Sequence, residues 1–110
     1  MQDAETVALG LALEAAGDMK GGFSIADVEE VEAVWSLIDG KLATYGFVLR
    51  IAGMGRQYLE LTLDDVASRG EAEIELMDLG DTEDLPDFEG ADWNTEPDHL
   101  NERLAHLKRN

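Results

Sequence analysis

The 110-residue sequence predicts an α+β domain: two N-terminal helices packed on a three-stranded antiparallel meander, then an acidic linker and a C-terminal helix. Three observations carry this. Apolar residues follow helical spacing up to about residue 45 and alternate with period two from 47 to 79. Glycines fall at the junctions between these segments, where turns are needed. The chain is 45% hydrophobic in spite of a formal net charge of -17, so the charge is laid over a foldable sequence and does not mark a disordered one.

The first helix is expected over residues 3–19. Thr6, Gly10, Glu14 and Asp18 recur four apart and form one narrow polar stripe, while most other positions are apolar. A helix so apolar around its circumference needs cover on several sides. That points to a homodimer, or a partner covering the Leu9/Leu13 side. The second helix is expected from Ser24, an N-cap with Asp27 three residues on and a Phe23–Val28 staple around it. Ile25, Val28, Val31, Trp35, Ile38 and Leu42 then keep helical spacing, with Glu29, Glu30, Glu32 and Asp39 off the stripe. Gly40 or Gly46 is its stop.

Period two follows. Phe47, Leu49 and Ile51 share one face of a first strand, and Leu59, Leu61 and Leu63 one face of a second. Residues 53–56, with Gly53 and Gly55, read as the hairpin loop between them. The connection 64–70 is too short for a parallel crossover, so the third strand, 71–79, runs antiparallel. Ala72, Ile74 and Leu76 point one way along it and Glu71, Glu73 and Glu75 the other. Residues 80–98 hold eight acids and no base and read as a linker. Leu100, Leu104 and Leu107 line a last helix opened by Thr95 and Asp98 with Pro97 in its first turn, and its basic end suits the helix dipole. The division is a core over 1–79 and a linker with C-terminal helix over 80–110.

The composition excludes several functions. Without cysteine there is no disulfide framework and no thiolate metal site. No apolar run has the ~18–20 residues of a membrane span, and no basic n-region opens the chain, so a soluble cytoplasmic protein is expected. Eight Lys and Arg against 25 Asp and Glu are poorly suited to direct nucleic-acid binding. Ser24 is occupied as a cap, and His99 and His106 are two helical turns apart, too far to chelate one ion together. The acidic stretches 78–84 and 87–92 lack the ligand spacing of a calcium loop. Gly53 and Gly55 sit between strands, where a phosphate-binding loop would open a helix. No enzyme, metal or cofactor is expected.

Function is therefore sought in the placement of charge. Residues 71–98 carry twelve acids and no Lys or Arg, whereas 99–110 carry three bases and one acid. The expected function is binding to a basic protein partner, inhibiting or masking its surface, with rows of carboxylates able to imitate a nucleic-acid backbone. The expected contact residues are Glu71, Glu73, Glu75, Asp81, Glu83 and Asp84, with Phe88 and Trp93 as aromatic anchors. The helix acids Glu29, Glu30, Glu32 and Asp39 form a second candidate row. Small acidic inhibitors, immunity proteins and phage anti-defence proteins have this kind of composition, although no motif ties the chain to one of them. Two alternatives stand beside this reading. One is an assembly or secretion chaperone, or a small phage structural component, docking through its apolar helices. The other is a high-salt host, in which case the acidity carries no functional information.

Overall fold

The computed structural model describes residues 4–19, 21–40, 42–64, 72–80, 85 and 92–109. Helix α1 (Ala4–Asp18) is followed by a short 3-10 turn (Ile25–Asp27), strands β1 (Val28–Asp39), β2 (Leu42–Ile51), β3 (Gly55–Asp64) and β4 (Ala72–Gly80), and helix α2 (Asp98–Arg109). The strands form one antiparallel sheet in the order β1-β2-β3-β4. Both helices pack on one face of it. The class is α+β, with four strands and an N- and a C-terminal helix.

The expected second helix is the main correction. Residues 28–39 form a strand, and residues 42–45 begin the next. Ser24 does not cap a helix: its hydroxyl donates to Asp27 Oδ2 at 3.1 Å and the backbone makes a single 3-10 turn. The physical cause of the helical spacing lies in the β1–β2 ladder. Between the pairs Val28↔Ile51 and Glu30↔Arg50, and again between Val31↔Leu49 and Ala33↔Val48, β1 advances two residues while β2 advances one. Each extra residue is a β-bulge. It stretches the inward period from two to three, so Val28, Val31 and Val34 all reach the same core. Three valines at three-residue spacing thus imitate a helix stripe, although β-branched residues suit a strand better. Gly40 (φ 61) turns the chain between β1 and β2 and is not a helix stop.

The three strands expected after residue 46 appear with the expected faces. Tyr45, Phe47, Leu49 and Ile51 of β2 and Leu59 and Leu61 of β3 are buried under the helices, with Leu63, Ile74 and Leu76 half-buried beside them. The β2–β3 hairpin turns through Gly53 (φ 80) and Gly55 (φ 78), conformations that cost a residue with a Cβ. The connection 65–71 lies outside the described residues.

Helix α1 lies where expected, but rotated. Its Ala8, Leu9, Ala12, Leu13 and Ala16 are buried, the alanines allowing close approach, and Thr6 is buried with them. The solvent side carries Val7, Leu11, Glu14 and Asp18. Leu9 and Leu13 are fully covered by the chain's own sheet and α2, so they offer no surface to a second copy. The sheet covers one side of α1 and α2 covers another, with Leu100 and Leu104 in the same core.

Candidate acidic partner-binding face

The outer face of the sheet, opposite the helices, is built by the other parity of the same strands. A small second core of Ala33, Trp35, Val48 and Tyr58 occupies its β1–β3 half. Trp35 Nε1 donates to the Tyr58 hydroxyl at 3.2 Å, and that hydroxyl donates to Glu60 Oε2 at 2.7 Å. Gly46 makes the contact possible: a Cβ there would sit 2.1 Å from Trp35 Nε1 and 2.6 Å from the Tyr58 oxygen. Trp93 closes the cluster, its ring edge-on to Trp35 at 6.3 Å and to Tyr58 at 6.1 Å between centroids. Leu85 and Leu79 pack against the same cluster.

Carboxylates border this core. Glu60 on β3 lies directly opposite Glu75 on β4, and Thr62 lies opposite Glu73. Directly opposed residues on one face have Cβ atoms about 4.5–5.5 Å apart, and like charges in that arrangement destabilise a sheet. Glu73 and Glu75 are exposed, Glu60 is half-buried, and among the described residues none of the three is ion-paired. Their field reaches the aromatic core. Burial raises the Tyr58 pKa above its ordinary value, and the hydrogen bond and negative charge of Glu60, with the charge of Glu75, raise it further. The phenol therefore remains a neutral donor.

The other candidate row is unlike this one. Glu29, Glu30, Glu32 and Asp39 lie on β1, not on a helix. Glu32 accepts from Arg56 at 2.9 Å and lies 3.4 Å from Arg50, and Arg50 also reaches Glu30 at 3.5 Å. Two acids of the row are thus already answered by the chain's own arginines.

Of the eight expected contact residues, the structure brings Glu73, Glu75 and Trp93 to this one face. Trp93 is packed back on its own domain and half-buried there. Glu71, Asp81, Glu83, Asp84 and Phe88 lie outside the described residues. Sequence reasoning missed Glu60, although its place between inward Leu59 and Leu61 puts it on the outward parity. It also missed the exposed Leu37, Ile38 and Leu42 at the β1–β2 hairpin end, because the helix reading placed Ile38 and Leu42 on the buried stripe.

No group of three or more His, Asp or Glu among the described residues is arranged to hold a metal ion. None of the helices, as far as they are described, is long and apolar enough to cross a membrane. Comparison with known proteins finds no matching family model, curated protein or solved structure.

Proposed function

We propose that the protein binds a basic protein partner through the outer face of β3 and β4 and masks the partner's cationic surface. The observation that supports this best is the Glu60–Glu75 cross-strand pair with Glu73 beside it. Arg50 and Arg56 are engaged by Glu30 and Glu32, and among the described residues Glu60, Glu73 and Glu75 form no ion pair, Glu60 accepting from the neutral Tyr58 hydroxyl. A cationic surface relieves their mutual repulsion on binding, and the field of the whole molecule speeds the encounter. In the mimicry form of this reading the masked surface ordinarily holds nucleic-acid phosphates, and a DNA duplex then competes with the protein for its partner. The chaperone alternative loses Leu9 and Leu13 to the protein's own core and keeps Val7 and Leu11 as exposed apolar positions on α1.

The test uses nona-arginine as the cationic probe, titrated calorimetrically at about 0.1 M salt, where the screening length is roughly 10 Å. Glu73→Gln/Glu75→Gln is compared with Glu14→Gln/Glu102→Gln, an equal charge change on the exposed sides of the helices. The reading expects the outer-face variant to lose several-fold more affinity than the helix variant. Equal losses would assign the binding to net charge alone and contradict the proposed face.

A further inference from the structure

Among the described residues, the two edges of the sheet are finished differently. Along β1 the outer edge is occupied. Asn94 exchanges both backbone hydrogen bonds with Val34, at 2.8 and 3.0 Å. The Asn101 side chain accepts from the Val31 N–H at 2.8 Å and donates to the Val31 carbonyl at 3.0 Å, and Lys108 Nζ donates to the Val28 carbonyl at 2.7 Å. Exposed edges template further pairing, and proteins commonly block them in this way. At β4 no such cover exists among the described residues. Among the described residues, the bonds of β4 beyond its ladder to β3 are the local Gly80 N–H bond to Asp78 Oδ1 and the Gln57 side-chain bond to the same oxygen.

The side chains of β4 indicate what this edge would accept. On the outer face Glu73 and Glu75 are followed by Met77, which is 50% exposed. On the inner face Ile74 and Leu76 are only half-buried, although Leu61 and Leu59, paired with them on β3, are completely covered. A depression of about 400 Å³ lined by Met19, Tyr58, Glu60, Ile74, Leu76 and Met77, with Glu75, follows the strand. A second copy of the chain fits poorly, because each copy carries a net charge of -17 and pairing β4 with β4 crowds Glu73 and Glu75 of both copies onto one face.

We propose that the β4 edge takes up an extended segment of the basic partner by strand addition, the segment carrying Lys or Arg at alternate positions and apolar residues between them. Backbone hydrogen bonds supply the docking, the basic side chains meet Glu73 and Glu75 on the outer face, and the apolar ones cover Ile74 and Leu76 on the inner. The inference rests on the reading that the partner is basic, and adds how it is held.

The experiment uses the full chain and two octapeptide probes of equal charge: alternating Lys and Val, and the same peptide N-methylated along its backbone. Strand addition predicts that the unmodified peptide binds at least about tenfold more tightly. It also predicts slowed hydrogen exchange in the amides of 72–80, with those of β1 unchanged. Equal binding of the two peptides without added protection in β4 would overturn strand addition and leave charge masking standing. Binding of neither would overturn both. A free protein that is already dimeric, with its β4 amides protected, would give the edge to a second copy and likewise overturn the proposal.

Discussion

Trp35 shows how a residue can be read as buried for the wrong reason. Helical spacing placed it on a stripe with Val31 and Ile38; in the sheet it faces away from Val31 and Val34, in the second core. Trp35→Ala is expected to cost roughly 3–5 kcal/mol, as large-to-small changes of buried aromatics do. Gly46 had no role in the sequence beyond a turn or stop, because the close approach of Trp35 and Tyr58 depends on the β1–β2–β3 register. Gly46→Ala is expected to displace the indole and cost about 1–3 kcal/mol by overpacking, seen as a lower urea midpoint and loss of the near-ultraviolet signal of the tryptophans. Tyr58 gives a pH dependence. Its folded pKa is raised, so the folded state holds the phenolic proton more tightly than the unfolded chain. Tyr45 is shifted the same way, by burial and by the charge of Glu5. Their contribution is complete below the unfolded tyrosine value near pH ~10 and falls away as the pH rises beyond it. Tyr58→Phe is therefore expected to flatten the alkaline decline in stability measured by denaturant titration. An unchanged slope would show that Tyr58 does not cause it.

At the scale of elements, the sequence revealed those whose pattern is unbroken. The β2 alternation from Phe47 onward, the β3 and β4 alternations, the α1 and α2 spans and the Gly53–Gly55 hairpin could be read from period and turn chemistry, whereas residues 42–46 of β2 were absorbed into the expected second helix. Strand β1 could not, because its two bulges convert a period of two into one of three. The signals against a helix were its β-branched residues and the Asp39-Gly40 pair, a hairpin cue between apolar runs. The acidic face was legible in half: Glu73 and Glu75 follow from alternation, but that Glu60 opposes Glu75 needs the β3–β4 register, which sequence pattern alone does not fix. The edge contacts of α2 were equally hidden, since Asn101 and Lys108 reach β1 across 70 and 80 residues of chain. Asn101→Ala removes two hydrogen bonds from Val31 and leaves its backbone groups with a buried or poorly solvated edge. The expected cost is about 1–3 kcal/mol, with faster exchange of the Val31 amide. Unchanged exchange at Val31 would mean that α2 does not seal this edge.

For the whole molecule, the question is whether a net charge of -17 is a surface adaptation or a device. An adaptation to high salt predicts a protein that unfolds at about 0.1 M salt and refolds in molar salt, as screening removes self-repulsion. A binding device predicts a protein that stays folded at about 0.1 M and loses affinity for a cationic probe as salt rises. The placement of the charge favours the device. Arg50 and Arg56 on the outer face are gathered around Glu30 and Glu32, while Glu60, Glu73 and Glu75 on the same face form no ion pair among the described residues. A group retained for binding and costly to the free fold should reveal both properties in one variant. The most direct measurement is urea denaturation of Glu75→Gln and of the unsubstituted protein, each with and without nona-arginine. Removing one member of the like-charged pair should raise the stability of the free protein by about 0.2–1 kcal/mol, and shrink the extra stability that the bound peptide confers. Free stability that does not rise, together with a peptide increment equal to that of the unsubstituted protein, would contradict the claim that this face is built to meet a basic partner.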